Sequence, residues 1–191
     1  LLVTKILLEE LKILLMKILK TNIPEVLIFS SDVYRDNLGH FLESYNYKNY
    51  KKYLNDVSFV QDNESTSKKG VLRGLHYQEN PKSQAKLIRV IKGRIQDIAV
   101  DIRKDSPTFK KYVSIELNES NHHQLFIPSG FAHAFLVLSD EAVVQYKVSN
   151  YYDSNLDRGY RYDDSAFNIK WMLDKKYIIL SEKDKVLPNL K

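Results

Sequence analysis

The sequence has no cysteine and little glycine, proline or tryptophan. Because none of the 191 residues is cysteine, disulfide bonds, thiolate zinc sites and a cysteine nucleophile are excluded, and the chain suits a reducing compartment. The six glycines do not form the glycine-rich loop of a Rossmann or P-loop nucleotide site. The one tryptophan contrasts with 13 tyrosines, which combine apolar area with a hydroxyl group. The length of the chain favours one domain with a sizeable core. The tyrosines either suit a pocket for a polar ring or fill strand surfaces.

A long uncharged apolar run is also missing. The first 15 residues are rich in leucine but contain two lysines and two glutamates, whereas a bilayer span needs about 20 predominantly apolar residues. Lys5 and Glu9 are spaced as neighbours on a helix surface, which is typical of a short amphipathic helix. We therefore expect no membrane association, and we interpret residues 1–15 as a non-essential extension of a single working domain, residues 16–191.

The excess of positive charge is modest and scattered. The formal net charge is +5, and the lysines and arginines do not gather into a stripe. Such a distribution favours a small anionic ligand over a nucleic acid. We therefore expect a small-molecule substrate and no nucleic-acid partner.

Short apolar runs separated by turn residues dominate the chain after Phe59. They follow one another at a spacing of about ten residues without helical patterns between them, and Lys92-Gly93 is interpreted as a hairpin turn between two of them. This pattern predicts an all-β fold, an antiparallel β-sandwich or jelly-roll barrel, with short peripheral helices such as one within 45–55. Residues 152–191 are polar and irregular, and we expect them to wrap back over the sheets.

One strand candidate, VLRGLHYQ at 71–78, places a histidine among strand-forming residues. Strict alternation puts His76 on one face with Gly74 and Gln78, and Arg73 on the opposite face. His76 is then either a proton-transfer group or a hydrogen-bonded core histidine. This stretch alone leaves both interpretations open.

Six motifs in order carry a resemblance to a known family: FVQDN (59–63), VLRGLHYQ (71–78), QAKLIRV (84–90), IPSGFAHAFLVLS (127–139), YKVSNYY (146–152) and LSEKD (180–184). Between Ile23 and Leu190 the chain closely resembles the dTDP-4-dehydrorhamnose 3,5-epimerases, which are sugar-nucleotide epimerases with a cupin-type jelly-roll fold. The resemblance implies an isomerase that converts dTDP-4-dehydro-6-deoxy-D-glucose into dTDP-4-dehydro-L-rhamnose. It also implies a cytoplasmic enzyme of dTDP-L-rhamnose and polysaccharide biosynthesis that needs no cofactor.

The chemistry of that reaction explains which groups such an enzyme needs. The hydrogens at C3 and C5 lie α to the C4 carbonyl, so epimerisation requires a base, a group that stabilises the enolate, and an acid on the opposite face. By resemblance the base is His76, oriented by Asp184, the enolate stabiliser is Lys86 and the acid is Tyr146. Without the family, Asp184 would be interpreted as a solvated residue, Lys86 as a surface lysine and Tyr146 as strand packing.

The resemblance also assigns substrate-binding positions. Arg73 and His133 match residues on the phosphate side, Gln61 and Asn63 match polar positions that line the sugar pocket, and Phe41, Glu43 and Tyr151 match positions that hold the nucleoside. Phe41 and Glu43 would enter the site from the neighbouring subunit, because the family exchanges N-terminal strands in a homodimer. A homodimer is therefore part of the expected function.

Three positions depart from the family pattern. Leu38 stands where an arginine that pairs with the diphosphate is common, and losing one charged hydrogen bond would weaken nucleotide binding by roughly 1.5–3 kcal/mol. Ala134 stands where glycine is usual, and Tyr162 where tryptophan is frequent. The first departure bears on the nucleotide, and we interpret the other two as packing variation.

A metal site of the usual cupin type is incomplete in this sequence. Cupins commonly use a His-x-His pair with further ligands, and the corresponding residues here are His76-Tyr77-Gln78, so one ligand is missing. We therefore predict no metal. Three alternatives stay open: an epimerase acting at one carbon or on a related 4-keto deoxysugar nucleotide, a non-catalytic sugar-binding cupin, and a metal-dependent cupin oxygenase.

Overall fold

The computed structural model describes residues 16–54 and 57–191, and most of its regular structure is β-strand. The strands are β1 (Lys17–Lys20), β2 (Leu27–Ser30), β3 (Tyr34–Asp36), β4 (Gly39–Phe41), β5 (Gln61–Lys68), β6 (Val71–Gln78), β7 (Lys86–Lys92), β8 (Arg94–Asp101), β9 (Tyr112–Asn118), β10 (His123–Ile127), β11 (Phe131–Val137), β12 (Glu141–Val148), β13 (Asp157–Gly159) and β14 (Ile179–Leu180). Short helices lie at α1 (Tyr47–Tyr50) and α2 (Glu182–Lys185), with a 3-10 turn at Lys175–Tyr177. The all-β prediction is confirmed, whereas the interpretation of residues 1–15 concerns a segment outside the described residues.

No helix in the described part of the chain is long and apolar enough to cross a membrane.

The strands form two facing sheets. In the first sheet the order is β1-β2-β10-β7-β12-β5, and in the second sheet it is β13-β6-β11-β8-β9. Neighbours in these orders pair antiparallel, and β14 adds to β6 in parallel. Strands distant in sequence thus become neighbours, which confirms the predicted antiparallel β-sandwich of jelly-roll type.

Apolar side chains on the inner faces of the sheets form the main core. On β12, Ala142 and Val144 are buried and Tyr146 packs against the same cluster. Ile95 and Phe135 join this cluster from the second sheet. Each fully buried side chain of this size contributes about 1.5–3 kcal/mol to the stability of the fold. Burial therefore fixes which side chains of a strand face the core, and alternation along the strand then sets the direction of the neighbouring polar side chains.

Lys92-Gly93 connects the two sheets and is not a hairpin turn. β7 pairs with β10 and β12 in the first sheet, whereas β8 pairs with β11 and β9 in the second. Gly93 has a φ of +78°, and a Cβ there would lie 2.1 Å from the carbonyl oxygen of Glu141, so this crossing requires glycine. The turn itself was correct, but the hairpin interpretation was wrong, because local sequence does not specify which strand pairs with the next one.

Strict alternation also fails along β6. β11 pairs His133 with His76 and Phe135 with Arg73, so a step of two residues on β11 spans three residues on β6. The extra residue changes the parity of β6 between Arg73 and His76. Arg73 donates to the Oγ of Ser67 on β5, while His76 lines the inner cavity described below. The prediction that these two side chains lie on opposite faces was therefore wrong.

The C-terminal segment wraps over the second sheet, as predicted. β13 pairs with β6, and β14 runs parallel to the beginning of β6. The side-chain amide of Gln96 donates to the carbonyl of Lys170 and accepts from the backbone N–H of Met172. These attachments carry the chain to α2, beside the strand that holds His76.

A separate two-stranded hairpin is formed by β3 and β4. Both strands are exposed along their length, and Leu38 at the turn is 90% exposed. The Oδ1 of Asp36 accepts hydrogen bonds from the backbone N–H groups of Leu38 and Gly39, which stabilises the turn at 36–39. The hairpin therefore holds apolar side chains in solvent within a single chain.

Candidate active site

A polar cavity of about 290 Å³ opens between the two sheets. It is lined by Gln61, Asn63, His76, Tyr77, Gln78, Gln84, Lys86, Tyr146, Tyr152, Asp157 and Lys183. Three of the four predicted catalytic side chains and both predicted sugar-pocket residues are among them. The fourth predicted catalytic residue, Asp184, is bonded to His76, which is one of the lining side chains.

His76 and Asp184 form a pair beside the cavity. The Nε2 of His76 lies 2.5 Å from the Oδ1 of Asp184, and the aspartate side chain is only 2% exposed. Burial raises the pKa of Asp184, but the hydrogen bond and charge of His76, helped by the Ser181 hydroxyl, outweigh burial and hold that pKa below its ordinary value. Asp184 is therefore a carboxylate at neutral pH, and Nδ1 is the His76 nitrogen left to exchange a proton with a ligand.

Lys86 brings a desolvated ammonium group to the same cavity. The residue is 8% exposed. Burial lowers its pKa to about 8, with the charges of Asp97 and Asp157 opposing the shift. Because pH 7 lies below that value, Lys86 is mainly protonated there. An ammonium group in a poorly hydrated site is suited to stabilise a negative charge that develops on a bound substrate.

Tyr146 enters the cavity from the sheet opposite His76. It lies on β12 and pairs with Asn63 of β5, whose Oδ1 accepts a hydrogen bond of 2.8 Å from the side-chain amide of Gln61. Burial raises the pKa of the Tyr146 hydroxyl, and the charge of Arg73 opposes the shift. The phenol is therefore protonated at neutral pH and able to donate a proton.

His133 is buried behind the cavity beside the predicted catalytic groups. Its Nε2 lies 3.0 Å from the Oδ1 of Asp97, and the two side chains are 7% and 0% exposed. Burial lowers the pKa of His133 more than Asp97 raises it, and the charges of Lys86 and His76 act in the same direction as burial. His133 is therefore neutral at pH 7. Arg73, the other predicted phosphate contact, is exposed.

The three predicted nucleoside contacts are not brought to the cavity within one chain. Phe41 is 68% exposed at the end of the β3–β4 hairpin. Glu43 accepts hydrogen bonds from two asparagine side chains at α1. Tyr151 is 63% exposed, and its neighbour Tyr152 lines the cavity instead. Phe41 and Glu43 reach a cavity of this kind only if the hairpin extends to another chain.

Sequence reasoning missed a polar trio in the lining of the cavity. The hydroxyl of Tyr152 donates to the Oδ2 of Asp157 at 2.9 Å, and Lys183 forms an ion pair with the same carboxylate. Tyr152 and Lys183 lie inside two of the motifs that carry the resemblance, and that position was the signal that could have found them. Asp157 arrives through the pairing of β13 with β6, which no local pattern indicates.

Gln78, at the position of the missing cupin ligand, is fully engaged in hydrogen bonds. Its amide nitrogen donates to the carbonyls of Lys82 and Tyr151, and its Oε1 accepts from the backbone N–H of Asp153. Across residues 16–54 and 57–191, no three His, Cys, Asp or Glu side chains are grouped so that they could hold a metal ion. Gln78 thus connects two loops at the rim of the cavity through its hydrogen bonds. The absence of a bound metal stays a prediction.

Most of the amino-acid sequence matches one family of sugar-nucleotide enzymes. The family model described as dTDP-4-dehydrorhamnose 3,5-epimerase matches residues 20–191. The chain belongs to this family. Its curated relative from Shigella flexneri, a dTDP-4-dehydrorhamnose 3,5-epimerase, is 50% identical over 170 residues, which cover 88% of this chain and 93% of the relative.

Solved structures of epimerases share the fold. The dTDP-4-dehydrorhamnose 3,5-epimerase of Bacillus anthracis, with TDP and PPi bound, has a TM-score of 0.88 and 44% identity, and the match covers 92% of this chain and all of that one (100%). The dTDP-6-deoxy-D-glucose-3,5-epimerase of Legionella pneumophila, in complex with dTDP-4-keto-L-rhamnose, has a TM-score of 0.86 and 41% identity, with coverages of 93% and 100%. The expected cupin-type fold is thereby confirmed.

Proposed function

We propose that this epimerase inverts C3 and C5 of dTDP-4-dehydro-6-deoxy-D-glucose to give dTDP-4-dehydro-L-rhamnose, in dTDP-L-rhamnose biosynthesis. The observation that carries the proposal is that His76 and Tyr146 enter one cavity from opposite sheets. A sugar ring held between them meets a base on one side and an acid on the other. Membership of the family and the relative crystallised with dTDP-4-keto-L-rhamnose support this class of substrate.

In the proposed reaction, Nδ1 of His76 removes the hydrogen at C3 or C5 as a proton. The C–H electron pair forms the enolate double bond, and the carbonyl π electrons move to O4, where the Lys86 ammonium stabilises the negative charge. Tyr146 delivers its phenolic proton to the same carbon from the opposite face, and the C4 carbonyl forms again. Because His76 releases a proton to solvent and Tyr146 recovers one, each inversion is balanced.

Asp184 and His133 support these steps from outside the cavity. We propose that Asp184 orients the imidazole ring and stabilises the imidazolium that forms after proton removal. The buried position of His133, bonded to Asp97, supports a role beside His76 and Lys86 more than a direct phosphate contact.

For the substrate itself, we propose contacts along the rim and walls of the cavity. Gln61 and Asn63 line the wall next to Tyr146 and would bind sugar hydroxyl groups. Arg73 is exposed, and its charge acts on Tyr146, so it suits the diphosphate, which arginine binds through charged hydrogen bonds. Tyr151 would flank the nucleoside.

We propose a homodimer in which the β3–β4 hairpin reaches the neighbouring subunit. Phe41 and Leu38 are strongly exposed on this hairpin, and burying them against a second chain would be favourable. The hairpin would then bring Phe41 and Glu43 to the nucleoside end of the neighbour's cavity. A nucleotide-sugar substrate is formed and used inside the cell, so we also propose a cytoplasmic location.

Proton exchange in heavy water tests the proposed function. The protein is mixed with dTDP-4-dehydro-6-deoxy-D-glucose, and the C3 and C5 proton signals are followed by NMR. We expect both signals to disappear as product forms, and no exchange with His76→Ala although that variant still binds the substrate. Exchange at one carbon only would establish the single-site epimerase instead, and a bound substrate that exchanges neither proton would overturn the proposal.

A further inference from the structure

We propose that Ser181 is a positioning residue for the reaction, because its hydroxyl holds the Asp184 carboxylate in the rotation that presents Oδ1 to His76. The inference rests on the proposed function, in which His76 is the base. Ser181 precedes α2 and acts on the imidazole only through Asp184.

One hydroxyl group makes two bonds to one aspartate. The Oγ of Ser181 donates to the Oδ2 of Asp184 at 2.8 Å and accepts from the backbone N–H of Asp184 at 3.1 Å. The second bond is the N-cap of α2, and capping does not require the first. The carboxylate oxygens are thus divided between two partners, with Oδ2 on Ser181 and Oδ1 on the Nε2 of His76.

The bond to Oδ2 matters because the carboxylate plane has little else to fix it. The χ2 torsion of aspartate is broad and has no sharp preference. Asp184 is 3% exposed, so bulk water does not replace a lost partner. If the plane turns, Oδ1 moves away from Nε2, and the imidazole of His76 loses both its orientation and its fixed tautomer.

Ser181 is itself placed by strand pairing. β14 ends at Leu180, which pairs with Leu72 of β6, and His76 lies further along the same strand. The position of Ser181 relative to His76 is therefore set by a backbone ladder. A hydroxyl with a fixed position can fix the carboxylate in turn.

Two substitutions at residue 181 separate the carboxylate bond from helix capping. Ser181→Gly leaves an acceptable N-cap residue but removes the hydroxyl donor, whereas Ser181→Thr keeps both functions. Losing a hydrogen bond to a charged group should lower kcat by about 10- to 100-fold in Ser181→Gly, with KM within about twofold, and Ser181→Thr should recover most of the rate.

Ser106→Ala is the matched control, because it removes a serine-to-aspartate bond of the same kind, to Asp101 at 2.5 Å. We expect this control to lower the melting temperature and leave kcat unchanged.

A double-mutant cycle with Asp184→Ala tests whether Ser181 works through Asp184. In the Asp184→Ala background, Ser181→Gly should cause no further loss of kcat. An equal loss in both backgrounds, or a folded Ser181→Gly variant with the normal kcat, would overturn the inference. If the wild-type protein itself catalyses no exchange, the proposed function fails and the inference falls with it. An active wild type with an unaffected Ser181→Gly variant refutes the inference alone.

The ¹⁵N NMR signals of His76 provide a readout that does not depend on turnover. With Asp184 held in place, we expect one neutral tautomer with the proton on Nε2. Ser181→Gly should give a mixture of the two tautomers, and Ser181→Thr should restore the single one. An unchanged tautomer in Ser181→Gly would contradict the inference.

Discussion

Arg73 and His76 are separated by two residues on β6, yet both side chains point to the inner side of the second sheet. The irregularity that allows this lies at Gly74, which has a φ of +123°. A Cβ at Gly74 would lie 2.5 Å from the carbonyl oxygen of His133 and from the Cβ of Ala134. Ala134 is buried at this contact and fits because residue 74 has no side chain. The proposed base and the proposed phosphate contact thus share one face because of a glycine between them.

Gly74→Ala should therefore destabilise the protein and misplace His76, the proposed base. The added methyl group would meet backbone and Ala134 rather than a flexible side chain, and overpacking of this kind costs about 1–3 kcal/mol, in addition to the unfavourable φ. We expect a lower free energy of unfolding, measured in urea, together with a loss of epimerase activity.

Gly39→Ala is the matched control for the stability measurement. Gly39 also has a positive φ, +140°, but a Cβ at this residue would have no atom of its own chain within 4 Å. It should therefore show the cost of the backbone conformation without the clash. Equal losses of stability in the two variants would show that β6 and β11 do not need a close approach at residue 74.

Alternation succeeded where strands pair without interruption. From Val144 to Val148, β12 pairs with β7 in regular register, and Val144 and Tyr146, two residues apart, both face the inner cluster. On β6 it failed, because an extra residue in one strand depends on the partner strand and leaves the period of the sequence itself unchanged. A glycine inside a strand pattern was the one local sign of such an irregularity.

The residues of the proposed catalytic site could be predicted only where they lie within the family motifs. Asp184 follows His76 by 108 residues, and no periodicity in the sequence links the two. They are brought together by the pairing of β14 with β6. The Asp97 partner of His133 was not predicted, because two adjacent strands of the second sheet bring them together. The only sign of the contact between Asp97 and His133 in the sequence is that Asp97 is a polar residue inside a buried strand.

Tyr146→Phe should separate proton removal from inversion. His76 remains able to remove a proton, so substrate hydrogens should still exchange with heavy water, while formation of the inverted product falls because the acid on the opposite face is lost. NMR measures both rates in one sample. Tyr53→Phe, at a tyrosine outside the cavity, should leave both rates unchanged. Normal inversion by Tyr146→Phe would remove Tyr146 from the acid role.

Leu38→Arg should strengthen nucleotide binding if the hairpin reaches the neighbouring subunit. One added charged hydrogen bond to the diphosphate corresponds to roughly 1.5–3 kcal/mol, or a KM about 10- to 100-fold lower. The turn should be retained, because Asp36 bonds to the backbone at residue 38 and not to its side chain. Leu38→Gln controls for the loss of an exposed apolar group. An identical KM in all three proteins would argue that residue 38 lies away from the diphosphate.

The rate of enolate formation should fall as the pH rises through about 8. Burial lowers the pKa of Lys86 to about 8, so its ammonium is lost over a range in which an ordinary lysine stays charged. Exchange at C3 and C5, measured at substrate concentrations well below KM from about pH 7 to about pH 9.5, reports the ionisation of the free enzyme and should decline as the charge disappears. A rate that stays constant over this range would mean that Lys86 does not stabilise the enolate as a cation.

Lys86→Met should remove activity yet stabilise the fold at neutral pH. Below pH 8 the folded and unfolded chains both bind the proton of Lys86, and the full cost of burying the charge is present. Between pH 8 and 10.5 only the unfolded chain keeps that proton, so the contribution of Lys86 to stability rises with pH. The difference between 10.5 and about 8 corresponds to a cost on the order of 3 kcal/mol at neutral pH.

Urea unfolding should therefore show Lys86→Met to be more stable than the wild type at about pH 7, with a difference that shrinks steadily towards about pH 10. A variant that is less stable at neutral pH would show instead that bonds made by the ammonium outweigh its desolvation, and that the group is held in place before substrate arrives.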